Sequence, residues 1–158
     1  SEHKTVAYFT ISTGVGGARI VNRQIDPTIP NTEPGHQTIV ANGEPCSCGG
    51  QGHLEAYVSG SALKRHYKKN TENIKNPKIW NKTAHLLAIG LVNSAIHWSP
   101  DCIVLGGSVM KSLPLDQLEK EYYQLETSLP PIKLAQLGHS SGLYGGLAYL
   151  NQKLDPSS

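Results

Sequence analysis

A chain of 158 residues holds one domain's worth of sequence and can bury a core of its own. A formal charge of +2 without a polybasic block argues against nucleic-acid binding by this segment, and no apolar run is long enough to span a membrane. Three cysteines make no disulfide framework, so the composition fits a reducing cytoplasm.

Ser1 to Lys4 is polar and reads as mobile. Val6 to Ile11 is an apolar run that predicts a strand buried on both faces. Ser12-Thr13-Gly14-Val15-Gly16-Gly17 follows, and Ala18 to Val21 predicts the partner strand, with a turn near Asn22-Arg23. A glycine-rich turn between strands exposes backbone N–H groups and lets a phosphate come close. The same pattern also serves plain hairpins, and no Gly-Lys-Ser/Thr follows to make a Walker A loop. Asp26 to Asn31 is a loop with two prolines.

The stretch from Glu33 to Glu55 carries the most chemistry. It holds Glu33-Pro34-Gly35-His36 and Cys46-Ser47-Cys48-Gly49-Gly50-Gln51-Gly52-His53-Leu54-Glu55. One residue separates the cysteines, so a single turn can aim both sulfurs at one point. Two thiolates and two imidazoles are the ligand set of a closed tetrahedral zinc site, which makes His36, Cys46, Cys48 and His53 candidate ligands of one zinc. A reduced, idle pair or a disulfide are the alternatives, although a disulfide across one residue is strained. Glu33, His36 and Glu55 are the side chains that would face a substrate beside the metal.

Leu54 to Tyr67 predicts one helix with Leu54, Tyr57, Val58, Ala62 and Leu63 on its apolar face. Glu55 falls in its first turn, where a carboxylate also suits the helix dipole without binding any ligand. Lys64-Arg65-His66 and Lys68-Lys69 form its solvated end, and Asn70 to Pro77 a polar connection. Lys78 to Trp98 is the strongest helix, with a stripe through Ile79, Thr83, Leu86, Leu87, Gly90, Leu91, Ser94 and Ile96, ended by Ser99-Pro100. Asp101 to Leu105 predicts a buried strand in which Cys102 is a buried thiol. It runs into Gly106-Gly107-Ser108-Val109, which reads equally as a plain turn or as a ligand crevice at a strand's carboxyl end. A helix from Leu115 to Ser128, an edge strand from Ile132 to Leu137 and a loop from Gly138 to Gly146 follow. The loop opens a last helix, Leu143 to Leu154, whose Gly142, Gly145 and Gly146 predict close approach to other backbone. Asp155 to Ser158 reads as a frayed tail.

Glu-x-Gly-His, followed ten residues after the histidine by Cys-x-Cys-Gly-x-x-Gly-Cys-x-Glu, is the signature of the ROK family of sugar kinases and sugar-responsive repressors. This chain resembles it at Glu33, Gly35, His36, Cys46, Cys48, Gly49, Gly52 and Glu55, and departs where His53 replaces the third cysteine. An imidazole in that place predicts weaker metal retention and greater acid sensitivity, because imidazole protonates near neutral pH. The resemblance runs from Val6 to Leu150. It implies an actin-like, ribonuclease-H-like ATPase fold of the α/β class: a mixed sheet flanked by helices, with a zinc-binding loop. One domain over residues 1–158 would match the C-terminal half of a ROK protein, with the N-terminal half absent from this sequence. By the same resemblance, Thr13, Gly14, Gly16 and Gly17 belong to a phosphate loop whose outer glycines are here Ser12 and Ala18. Gly106 and Gly107 would lie against the nucleotide, and the last helix near the adenine. His139 stands where the family usually has Asp and is assigned no role.

The implied ligands are ATP with Mg²⁺ and a hexose or N-acetylhexosamine held by Glu33, His36 and Glu55, with Zn²⁺ in a structural role. Phosphoryl transfer to a hydroxyl also needs a base. In ROK kinases that base is an Asp in an Asn-Asp pair upstream of the first strand, and none of Asp26, Asp101, Asp116 and Asp155 follows an Asn. The expectation is therefore a fragment, a separately encoded half or a truncated relative. It would have negligible kinase activity alone and would associate with a missing half or with itself. Two other functions compete: the effector-binding domain of a ROK repressor, and a zinc-stabilised interaction module that binds no sugar.

Overall fold

The computed structural model describes residues 3–29, 31–138 and 141–154. The expectations for Ser1, Glu2, His139 and the Asp155–Ser158 tail lie outside the described residues.

Five strands form one mixed sheet in the order β3-β2-β1-β4-β5. The strands β1 (Thr5–Ile11) and β2 (Val15–Val21) make an antiparallel hairpin, which β3 (Gln24–Ile25) extends through a turn at Asn22 and Arg23, both with positive φ. On the other side β4 (Cys102–Gly106) pairs parallel to β1, and β5 (Ile132–Leu134) parallel to β4. The β1–β2 turn is shorter than the sequence predicts. It spans only Ser12 to Gly14, because Gly16 and Gly17 are strand residues paired with Thr10 and Phe9.

Alternation along β1 decides what each face of the sheet meets. Ala7, Phe9 and Ile11 are fully buried, in one core with Ala84, Leu87, Ala88 and Leu91 of α3 (Pro77–Trp98) and Leu118 and Tyr122 of α4 (Leu115–Leu125). Val6, Tyr8 and Thr10 point the other way and are only partly buried. The expectation of burial on both faces fails here because Tyr8 and Thr10 line a cleft instead, roofed by the last helix α5 (Ser141–Leu154). That helix meets the sheet at β3 and is otherwise poorly covered. Leu147, Leu150 and Leu154 are 51%, 55% and 77% exposed, and nothing approaches Gly145 or Gly146, contrary to the predicted close packing.

The long helix α3 begins where the Asn76 side chain accepts the Lys78 N–H at 3.0 Å and Pro77 fills the first turn, a position that needs no N–H. It ends at Ser99 in the left-handed conformation. Its predicted stripe holds except at Ile96, which is 62% exposed. The predicted helix Leu54–Tyr67 is broken into α1 (Glu55–Val58) and α2 (Gly60–Tyr67). Ser59 is extended there and its hydroxyl accepts the Ala62 N–H, while Gly60 N–H and Ser61 N–H donate to the carbonyls of Ser12 and Thr13. The break thus docks the β1–β2 turn onto α2. The helix α4 stops at Leu125, short of the predicted Ser128, because the Glu126 carboxylate takes the N–H groups of Thr127 and Ser128. Gly106 leads to a short 3₁₀ turn, Val109–Lys111. β5 also ends early, at Leu134. Cys102 is fully buried, which pushes its thiol pKa up. Among the described residues no helix is long and apolar enough to cross a membrane.

Asp101 fastens the start of β1. Its Oδ2 accepts the N–H groups of Lys4 and Thr5, each at 2.8 Å, and the Thr5 bond foremost holds its carboxyl below the usual range. A carboxylate with a depressed folded-state pKa stabilises the fold above its unfolded-state pKa, and that contribution disappears as pH falls through the folded value. Asp101→Asn should therefore lower the urea midpoint near neutral pH, and the deficit should shrink as pH falls below about 4, the ordinary aspartate value. A deficit independent of pH would show that the charge is not what matters.

Candidate functional site

The Glu33–Glu55 segment is built by short backbone pairings rather than by a core. The chain at residues 38–40 runs against residues 52–53: Thr38 bridges His53, and Ile39 N–H and Val40 N–H both donate to Gly52 O, at 2.8 and 3.1 Å. A second turn closes inside it, with Cys46 N–H on Gly50 O and Gly49 N–H on Cys46 O. Gly52 has φ +69°, and a Cβ there would lie 1.8 Å from Val40 O, so only glycine completes this crossing.

This path brings ligand atoms of His36, Cys46 and Cys48 within 4.8 Å of one another. On a tetrahedral zinc, with bonds of about 2.0–2.3 Å, neighbouring ligand atoms stand roughly 3.3–3.8 Å apart, so a small contraction suffices. His53 stands beside the trio: its Nδ1 is 3.2 Å from Cys48 Sγ, and its ring centre is 5.7 Å from that of His36. All three cysteines are free thiols. The trio of His36, Cys46 and Cys48 could hold a metal such as zinc, and the fourth predicted ligand, His53, lies outside that trio.

Glu55 connects this loop to the sheet. Its Oε2 accepts the Val15 N–H at 2.8 Å, and its Oε1 accepts the Ser47 hydroxyl at 3.0 Å and lies 3.9 Å from His36 Nε2. The carboxylate packs so closely on the β1–β2 turn that a Cβ on Gly14 would lie 2.6 Å from Oε2. One acid thus touches the turn after β1, the residue between the two cysteines and the neighbourhood of His36. Glu33 caps the Pro34–His36 turn from outside, with its carbonyl accepting the His36 N–H at 2.9 Å, and is exposed.

Behind the turn lies the cleft between sheet and α5, about 1080 Å³ in volume. It opens at the carboxyl ends of β1 and β4. Ser12, Gly106, Gly107 and Ser108 line it, as do Tyr8, Thr10 and Tyr144. The hydroxyls of Ser12 and Ser108 meet at 3.2 Å, joining the two turns. Gly107 has φ +99°. Of the six residues read as nucleotide-binding, Gly106 and Gly107 line the cleft. Thr13 and Gly14 lie in the adjoining turn, and Gly16 and Gly17 continue into β2.

The sequence reading missed Gln37, Ser47 and Tyr57. Gln37 ties the loop to α3, and Tyr57 accepts the Glu44 N–H at 2.7 Å, holding the outer arm of the metal loop. Nothing in the spacing of polar residues marks these bonds; they exist only once the segment crosses itself.

A model of the ROK family matches residues 1–153. The chain belongs to the ROK family. Its relatives include the xylose repressor of Bacillus subtilis (strain 168), 31% identical over 167 residues that cover 89% of this chain and 43% of the repressor. Among solved structures, the ROK hexokinase of Thermus thermophilus superposes with a TM-score of 0.84 at 28% identity, over 96% of this chain and 59% of the hexokinase. A ROK glucokinase from Streptomyces griseus, solved with glucose and AMPPNP, gives a TM-score of 0.75 at 25% identity, over 92% of this chain and 60% of that one. The fold is the actin-like ATPase fold of these ROK kinases. The chain spans about half the length of the relatives it matches, and the family includes both kinases and repressors.

The crossing at Gly52 predicts a contrast between two substitutions. Gly52→Ala must adopt a left-handed conformation and displace Val40 O, and should cost about 2 kcal/mol or more, several degrees in melting temperature. Gly145→Ala, in a helix with open space around it, should be neutral or stabilising by up to about 1 kcal/mol. Equal melting temperatures for the two variants would contradict the loop geometry.

Proposed function

We propose that this chain is the sugar- and nucleotide-binding part of a ROK-family ATP-dependent kinase that phosphorylates a hydroxyl of glucose or an N-acetylhexosamine. The observation that carries this reading is the contiguity of two sites. A cleft at the carboxyl ends of β1 and β4 reaches the Ser12–Gly14 turn, and the N–H of the next residue, Val15, holds Glu55. A phosphate donor in the cleft and a hydroxyl acceptor at Glu55 would sit on two sides of one short turn.

In this reading His36, Cys46, Cys48 and His53 hold a structural zinc, which keeps the loop in shape. One His36 ring nitrogen faces the metal, and the other is left as a fixed donor or acceptor for a sugar hydroxyl. Glu33 and Glu55 accept sugar hydroxyls, the paired bonds that separate one hydroxyl pattern from another. The short turn of Ser12, Thr13 and Gly14, with Gly106 and Gly107 beside it and Gly16 and Gly17 in the strand that follows, admits the phosphates of ATP, whose charge Mg²⁺ offsets. The described aspartates do not supply the base. Asp26 is tied to Arg19 and Thr28, Asp101 to the start of β1, and Asp116 lies in the first turn of α4. That group belongs to the other half of the family's fold. The setting is cytoplasmic, and the partner is that half or a second copy.

A second reading, the effector-binding domain of a repressor, has its own support in the 31% identity to a xylose repressor and in Ser12 and Ala18 at glycine positions of the phosphate loop. Calorimetric titration with Mg²⁺-AMPPNP and with glucose, N-acetylmannosamine and xylose separates the readings. The kinase reading expects AMPPNP to bind together with a hexose. A sugar that binds while AMPPNP does not would support the repressor reading, and binding of neither would leave a zinc-held interaction module.

A further inference from the structure

We propose that Gln37 is a positioning residue of the sugar site, fixing the two acid-bearing segments against α3; the role rests on the sugar-binding reading above. Gln37 follows His36 directly and is partly buried. Its Nε2 donates to Pro34 O at 2.8 Å, to Gly90 O at 3.2 Å and to Ser94 Oγ at 3.3 Å. On the other side its Oε1 accepts the Asn93 Nδ2 at 3.1 Å. Its backbone carbonyl accepts the Leu54 N–H at 3.0 Å. The side chain therefore holds the residue after Glu33, and the backbone holds the residue before Glu55.

The chemistry of the surroundings requires an amide. Two of the groups facing Nε2 are carbonyls, which only a donor can satisfy, while Asn93 offers an N–H, which only an acceptor can satisfy. Glutamate would set an oxygen against two carbonyl oxygens, and an apolar side chain would leave both ends of the clamp open. Ser94 Oγ also donates to Gly90 O at 2.9 Å, so this turn of α3 is itself braced where Gln37 grips it. The Asn93 side chain meets the loop at Gln37, where its Nδ2 holds the far end of the amide. An effect of Asn93 on sugar affinity is therefore expected to pass through Gln37.

The test is a double-mutant cycle on Gln37→Met and Asn93→Ala, read by calorimetry with glucose and N-acetylmannosamine, with Mg²⁺-AMPPNP affinity and zinc content measured alongside. Asn93→Ala, a helix-favouring change, should raise the hexose Kd roughly 3- to 10-fold, and Gln37→Met at least as much. The double variant should be no weaker than Gln37→Met alone. Zinc content and AMPPNP affinity should stay unchanged. Unaltered hexose affinity in Asn93→Ala, additive effects, or a parallel loss of AMPPNP affinity would overturn the role while leaving sugar binding established. Absence of hexose binding in the unaltered protein would overturn the role together with the proposed function.

Discussion

Between Gln37 and Gln51 only Cys46 is buried, so this segment has almost no hydrophobic core to hold it. Fixing each residue's backbone costs about 1–2 kcal/mol, and a typical hydrogen bond returns about 1 kcal/mol net. Backbone pairings across Gly52 and Gly50 therefore offset only part of the ordering cost. The convergence of His36, Cys46 and Cys48 supplies what is missing if a metal occupies it, since a structural zinc contributes on the order of 10 kcal/mol. With a metal bound at that trio, the shape of the site would depend on it.

What the loop fixes is passed inward through two residues. Glu55 meets the β1–β2 turn at the Val15 N–H, so the acid read as a sugar ligand and the turn read as a phosphate cradle share a bond. Gln37 meets α3, the helix that fills the core beneath β1. The loop is thus anchored to the sheet on one side and to the helix layer on the other. The break at Ser59 completes this arrangement, because an unbroken helix from Leu54 would leave no N–H groups at Gly60 and Ser61 to hold the carbonyls of Ser12 and Thr13.

Much of this was legible in residue order. The hairpin, the long helix α3 and the strand Cys102–Gly106 follow from period and composition, and the meeting of His36, Cys46 and Cys48 follows from chemical type and glycine spacing. The misreadings share a cause: they concern what another segment does at that place. Gly16 and Gly17 read as turn residues, but β2 begins at Val15 because seven residues of β1 are available to pair with it. Ser59-Gly60 carries a local sign of a helix break, a serine that caps α2, but the apolar stripe running through it reads as one helix and the partner of the freed N–H groups is the distant Ser12–Thr13 turn. The glycines of α5 suggest close packing, yet that helix lies over an open cleft. Gln37 and Ser47 are ordinary polar residues in sequence and acquire roles only where the chain crosses itself.

X-ray absorption at the zinc edge of the purified protein tests the central claim most directly. The account predicts one zinc per chain, with two sulfur neighbours at about 2.3 Å and two nitrogen neighbours at about 2.0 Å. Zinc without sulfur in its coordination shell, or protein prepared in zinc-rich medium that holds the same loop shape with no metal bound, would contradict it.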